Sequence, residues 1–369
     1  MGGRAEAVRE QARPYEVVGH LALTGQADRA VVLGREQLAL VEPTGDLPSV
    51  VMLRHAVGMA LAQLRQYEPA LAELDRASVE AARSGQPALE AVVWANTAWT
   101  KARAGRPEEG LRDFTRAHEV LEREEPSQGT VVAAVNMAMS ALQLGLLDVS
   151  GQWFDYAHAH VGVLPELSRR IAVTANRTLL DYEQGLQHEH AGRPGPARDR
   201  YEQSAATGRR GRELAAGMPA AAARPWVVNA AVNQGCCLAK LGRPEAALRE
   251  LDAVADEVDT QTVLITRAAA TMGRAWAELA LGETTRSREH GEEAARLAES
   301  IGWGRWQADC HRALARAAER AGDPAGSAAH DARAADLLAQ LGWQTRLRRL
   351  GVTLGLQAGG VGSVRHPQG

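Results

Sequence analysis

The chain has few aromatic residues, almost no lysine and no long apolar run. Only 4% of its 369 residues are aromatic, and Lys101 and Lys240 are its two lysines. The net charge of -3 is the wrong sign for binding a phosphate backbone or an anionic membrane surface. No run of about 18 apolar residues is present that would span a bilayer. The sequence therefore predicts no direct nucleic-acid partner and no membrane partner.

Cysteine is also scarce, and its positions argue against a disulfide framework. The three cysteines are Cys236, Cys237 and Cys310, which are too few and too clustered to stabilise a chain of this length by disulfide bonds. The adjacent pair is interpreted as two small buried apolar residues. The first ten residues, MGGRAEAVRE, lack the apolar core of a signal peptide. We expect a cytoplasmic protein.

The motifs of common catalytic and metal sites are missing as well. His188 and His190 lie two apart, so on a helix their rings point in nearly opposite directions and cannot share one ion. There is no HExxH and no GxSxG, and Gly192–Pro196 has no lysine followed by serine or threonine. The prediction is no metal, no cofactor and no enzymatic activity. Glu183 with His190 is the one ionisable pair that would suggest otherwise.

What the chain does have is a helical hairpin that recurs. Between Trp94 and Glu122, Gly105 is followed by Arg106-Pro107, the usual stop and start signals of two helices joined by a tight turn. Equivalent turn residues occur at spacings of 40, 40, 40, 47, 50, 40 and 40, which gives eight units. These turn residues are Gly25, Arg65, Gly105, Gly145, Gly192, Gly242, Gly282 and Gly322.

Small residues recur at fixed distances from each turn residue. The positions seven before, five after and twelve after are Gly, Ala or Ser in nearly every unit. The exceptions are Val18 and Gln37 in the first unit and Val254 in the sixth. Small residues at fixed places let helix backbones approach closely, as stacked hairpins require. The sequence therefore predicts an all-α solenoid.

This pattern resembles the tetratricopeptide repeat. In the third unit its slots are filled by Ala98, Gly105, Gly110, Phe114 and Ala117. The period is 40 residues here and 34 in the family, which is similar to the longer repeats of bacterial regulatory proteins. The resemblance implies a right-handed superhelix whose concave groove binds a protein or peptide.

The predicted boundaries follow from the repeat. Residues 1–355 form the solenoid, which ends in a capping helix over Leu341–Leu354, and residues 356–369 form a disordered tail. The ten extra residues between the fifth and sixth units fall in 207–225. This segment is either a longer second helix followed by a loop, or a hinge between two halves.

The first helix of each unit should line the groove, and its register predicts which residues face inward. Asparagine recurs nine residues before the turn residue, where the fifth unit has glutamate instead. A carboxamide offers a donor and an acceptor, which suits the backbone of an extended peptide. The predicted groove residues are Asn96, Trp99, Arg103, Asn136, Met139, Glu183, Asn229, Asn233, Lys240 and Trp276. Alternatively, the asparagines are structural and bond neighbouring helices.

The sequence thus favours a non-enzymatic scaffold that binds an extended peptide or partner segment. The family resemblance implies a role in bacterial signalling or transcriptional regulation. An alternative is a ligand-sensing domain whose output domain lies on another chain or is missing. Self-association through the end units is a further possible interaction.

Overall fold

The computed structural model describes residues 13–261 and 263–341, and the regular elements in this part of the chain are all helices. Besides short 3-10 turns at Glu42–Thr44 and Val161–Val163, there are seventeen α-helices. They are α1 Pro14–Leu23, α2 Ala27–Val41, α3 Leu47–Gln63, α4 Tyr67–Ser84, α5 Pro87–Arg103, α6 Pro107–Glu122, α7 Gln128–Gln143, α8 Leu147–Ala159, α9 Leu167–His190, α10 Pro194–Ala215, α11 Ala220–Lys240, α12 Pro244–Asp252, α13 Ala255–Gln261, α14 Leu264–Leu281, α15 Thr284–Ser300, α16 Gly304–Arg320 and α17 Pro324–Gln340.

The helices pair into the eight predicted hairpins, so the prediction of an all-α repeat fold is confirmed. The first helices of the pairs are α1, α3, α5, α7, α9, α11, α14 and α16. The sixth hairpin differs because its second helix is split into α12 and α13. The interruption lies beside Val254, which replaces the small residue that every other unit except the first carries on this helix.

The backbone at the turns explains the glycine spacing. All eight turn residues have a positive φ, from 58° at Arg65 to 83° at Gly25 and Gly282. Glycine adopts this left-handed conformation without the steric penalty that a Cβ brings. Among the described residues, Arg65 is the one non-glycine residue with a positive φ.

Close helix contact explains the columns of small residues. In the third hairpin, a Cβ added to Gly110 on α6 would lie 2.5 Å from the carbonyl oxygen of Ala98 on α5. No side chain fits at that distance, so the two helices touch backbone to backbone. The small residues seven before and five after the turn residue therefore meet each other.

The solenoid curves until its late hairpins meet its early ones. Arg65 Nη2 lies 2.7 Å from Glu299 Oε1, and Arg103 donates to the carbonyl oxygens of Glu299 and Ser300, both at 3.4 Å. Leu264 packs beside Gly25 in the first turn. The C-terminal end of α15 thus touches the second and third hairpins, and the concave side encloses a cavity.

The segment 207–225 consists of the end of α10, a short link at Ala216–Pro219 and the start of α11, which contains Pro225. This arrangement is the longer helix followed by a loop; whether the link also acts as a hinge stays a prediction. The predicted capping helix beyond Leu341 and the tail lie outside the described residues. In the described part of the chain, no helix combines the length and apolarity that a bilayer crossing requires.

Candidate functional site

The concave side encloses a cavity of about 610 Å³. This volume is within the range of 300 to 1,000 Å³, typical of ligand sites. The first helix of each hairpin contributes to its wall, from Leu23 on α1 to Trp306 on α16. All eight repeats therefore meet at one space.

The chain contains five asparagines, and all five line this cavity. They are Asn96, Asn136, Asn176, Asn229 and Asn233. The sequence analysis missed Asn176. It lies seven residues before Glu183, on the same face of α9 and two turns earlier, so extending the register by one heptad would have found it.

Two of the asparagines are anchored to their own helices and keep an acceptor for a ligand. The Nδ2 of Asn96 donates to the carbonyl oxygen of Val92, and that of Asn136 to Val132, both at 2.9 Å. No other described group donates to either Oδ1. Asn176 and Asn229 form no side-chain hydrogen bond to another described residue, so both their donors and acceptors are available.

Asn233 is different, because it joins two helices. Its Oδ1 accepts from Ser204 Oγ and its Nδ2 donates to the Ser204 carbonyl oxygen, both at 3.2 Å. The side chain is buried between α11 and α10. For this one asparagine the structure matches the alternative interpretation, a structural bond between neighbouring helices.

Large apolar side chains fill the wall between the carboxamides. Trp99, Met139, Trp226 and the pair Trp303 and Trp306 all line the cavity. The rings of Trp303 and Trp306 stack with centroids 5.0 Å apart. The wall thus combines amide groups with large apolar surfaces.

Comparison with solved structures shows which fold this is. A Rap protein complexed with competence and sporulation factor matches over 90% of this chain and 98% of that chain, with 14% identity and a TM-score of 0.52. The apo form of the quorum sensor NprR from B. thuringiensis matches over 91% of each chain, with 13% identity and a TM-score of 0.48. The fold is a tetratricopeptide-like helical repeat. No protein-family model and no curated protein sequence matches the chain.

Four predicted groove residues do not line the cavity of this tetratricopeptide-like solenoid. Arg103 stacks on the ring of Trp99, with its guanidinium carbon 5.0 Å from the ring centroid. Glu183, Lys240 and Trp276 are buried in contacts with α16. Helix α16 packs against the concave side and covers them.

The covered residues form a buried ionic cluster, which we define as Glu183, Lys240, Arg305 and Asp309. Arg305 Nε lies 2.7 Å from Glu183 Oε2, and Lys240 Nζ lies 2.7 Å from Asp309 Oδ1. All four side chains are at most 9% exposed. Both pairs join α16 to earlier hairpins.

Tryptophans complete the hydrogen bonding of the cluster. Trp303 Nε1 donates to Glu183 at 2.6 Å, and Trp276 Nε1 donates to Asp309 at 2.7 Å. Lys240 Nζ also sits 3.7 Å from the ring centroid of Trp276. Each buried carboxylate therefore has both a cation and a neutral donor, as buried charge requires.

The two carboxylates of the ionic cluster differ in their pKa. Burial raises the pKa of Glu183 to about 7, against the opposing effect of Arg305. Burial also raises the pKa of Asp309, but Lys240 and His190 outweigh it and hold that pKa below its usual value. Glu183 and His190, the pair that would have signalled an enzyme, thus have different partners: Glu183 contacts Arg305, whereas His190 Nε2 lies 3.7 Å from Asp309 Oδ1.

Two ionisable side chains, Tyr182 and Cys236, do line the cavity. Burial raises the pKa of both, so both stay neutral. Among the described residues, no group of three or more His, Cys, Asp or Glu side chains is placed to hold a metal ion.

Lys240 and Trp276 also border a separate pocket of about 360 Å³ together with Glu189, Arg316 and Arg320.

Proposed function

We propose that the chain binds an extended peptide, or an extended segment of a partner protein, in the cavity. It acts there as a scaffold without catalytic activity of its own. The observation that carries this proposal is the concentration of all five asparagines on one wall. Asparagine is a mediocre helix former, so its recurrence in helices needs a compensating role.

Recognition of a peptide backbone supplies that role. An extended backbone presents one N–H and one C=O per residue, and both need partners once water is excluded. The acceptors of Asn96 and Asn136, and both groups of Asn176 and Asn229, face the space where such a backbone would lie. Trp99 and Met139 offer apolar surface for the peptide's side chains. The complex of the structurally similar Rap protein with competence and sporulation factor supports the same use of the fold.

A sensory role in bacterial signalling or transcriptional regulation is the biological setting we infer. Arg65 and Arg103 join the second and third hairpins to the C-terminal end of α15, and the cavity wall includes residues of the first and the eighth hairpins, so a ligand in the cavity would contact early and late hairpins together. A change there would reach a partner bound to either end. The output domain would then lie on another chain or be missing from this sequence.

Affinity selection tests the proposal. The purified chain is incubated with a library of synthetic peptides, and retained peptides are identified by mass spectrometry. We expect a defined set to bind and to change tryptophan fluorescence, because four tryptophans line the cavity. Asn96→Ala and Asn136→Ala should each weaken binding about fivefold to tenfold, since a hydrogen bond contributes about 1 kcal/mol.

The matched control is Gln203→Ala, which removes an exposed carboxamide from α10 on the outer helix layer. It should bind as the wild type does. Equal retention by the wild type and by both cavity variants would refute peptide binding at this site.

A further inference from the structure

Among the residues that the structure describes, the polar part of the cavity wall is neutral. The 28 described residues that line it are apolar residues, carboxamides, hydroxyls and one thiol. They include Gln63 and Gln143 besides the asparagines. This neutrality stands out in a chain of which 24% is charged.

The charged groups next to the wall already have partners among the protein's own residues. Trp303 lies on the wall, and Glu183 and Arg305 form their ion pair next to it. Arg103 stacks on Trp99 and donates to two backbone carbonyls. A ligand charge inside the cavity would thus find no counter-charge among these groups and would have to stay desolvated, which disfavours binding of a charged group.

A purely apolar ligand would fit poorly for the opposite reason. It would bury the carboxamides of Asn176 and Asn229 and the acceptors of Asn96 and Asn136 without partners. Each buried polar group that is left unpaired weakens binding. The wall therefore favours a ligand that offers several neutral donors and acceptors together with apolar groups.

We propose that the part of the ligand inside the cavity is an uncharged peptide segment with apolar or amide side chains, and that its charged residues and both termini lie outside. This inference rests on the proposed function and narrows its ligand class. It sets the site apart from grooves that hold a terminal carboxylate or an acidic side chain with lysine and arginine.

The test uses the full chain and two libraries of acetylated, amidated peptides of equal length. One library contains only neutral residues, and the other carries one Asp or one Lys at each position in turn. We expect neutral peptides to be retained. A single charge at a position that contacts the wall should weaken binding at least about tenfold.

Two results would overturn the inference, and they are distinguishable. Preferential retention of charged peptides, lost in Asn136→Ala, would overturn the neutral ligand class but leave peptide binding intact. Retention of neither library above the level of the cavity variants would overturn both proposals.

A charge placed on the wall gives a second, independent readout. Met139→Lys adds a cation to the half-buried wall of α7 and should favour peptides that carry Asp over those that carry Lys. Met139→Leu is the matched control and should keep the neutral preference. Circular dichroism checks that each variant is folded. If Met139→Lys does not fold, Gln143→Lys replaces it as the lysine variant. An unchanged preference in a folded lysine variant would contradict the placement of the ligand.

Discussion

The third and fourth hairpins and the fifth and sixth hairpins use equivalent positions for different purposes. Nine residues before the turn residue, Asn96 and Asn136 face the cavity, whereas Glu183 is buried against Arg305. Two residues before it, Gln143 lines the cavity, whereas Lys240 is buried against Asp309. The difference arises because α16 packs against the concave side of the fifth and sixth hairpins. A repeat register therefore assigns a residue to a face, and long-range packing decides whether that face is a wall or a core.

The largest expected effect is on the stability of the fold, at the fifth and sixth hairpins, where α16 covers the concave side. Asp309→Ala would leave Lys240, which is 3% exposed, with only the partly exposed Glu189 at 3.3 Å, and would leave the buried Trp276 Nε1 without its acceptor. We expect a loss of roughly 3 to 5 kcal/mol in the free energy of unfolding, measured by urea denaturation. The matched control, Asp252→Ala, removes an exposed pair with Arg274 and should cost less than about 1 kcal/mol. Equal losses would show that the ionic cluster does not hold α16 in place.

The second prediction concerns the pH dependence that Glu183 contributes. Its ordinary pKa is 4.5 and burial raises it to about 7, so the folded protein holds this proton more tightly than the unfolded chain does. Its stabilising contribution is complete below pH 4.5 and is lost as the pH rises to about 7.

Glu183→Gln removes this titration and isolates its effect. The free energy of unfolding of the wild type relative to the variant should fall by on the order of 3 kcal/mol between these pH values, at about 1.4 kcal/mol per pKa unit. Urea denaturation across the pH range measures it. Parallel pH profiles for the two proteins would contradict the raised pKa.

The third prediction separates two asparagines on the same concave side. Asn233→Ala breaks both bonds to Ser204 and should destabilise the fold by about 1 to 3 kcal/mol. Asn136→Ala removes only a bond within its own helix and introduces a better helix former, so stability should change by less than about 0.5 kcal/mol. Thermal unfolding compares them, and a reversed order would mean that their roles are exchanged.

The smallest effect is expected where the early and late hairpins meet at the surface. Arg65 and Glu299 are about half exposed, so Arg65→Ala should cost less than about 1 kcal/mol. The effect should decrease further at high salt, which screens exposed charges. A salt-independent loss as large as that of Asp309→Ala would place this contact among the buried ones.

The fold was predictable because its signals are local. A left-handed turn between two helices depends on the turn residue and its neighbours, and each predicted turn residue has a positive φ. The inward orientation of Asn96 and Asn136 follows from the register of single helices. The roles of Glu183 and Lys240 were not predictable in this way, because their partners Arg305 and Asp309 lie in the eighth hairpin. That pairing depends on the rotation accumulated over several repeats, which no local pattern encodes.

The enclosure of the cavity by both ends of the solenoid has a mechanical consequence. Its wall runs from Leu23 in the first hairpin to Trp306 in the eighth, so its width depends on the superhelical pitch. A small change in twist at any one hairpin shifts the opposite wall by an amount that grows with every repeat between them. Ligand binding in the cavity and the superhelical twist of the solenoid are therefore coupled. A protein that binds the outer surface and changes the twist would change ligand affinity, and the ligand would change the affinity for that protein by the same free energy.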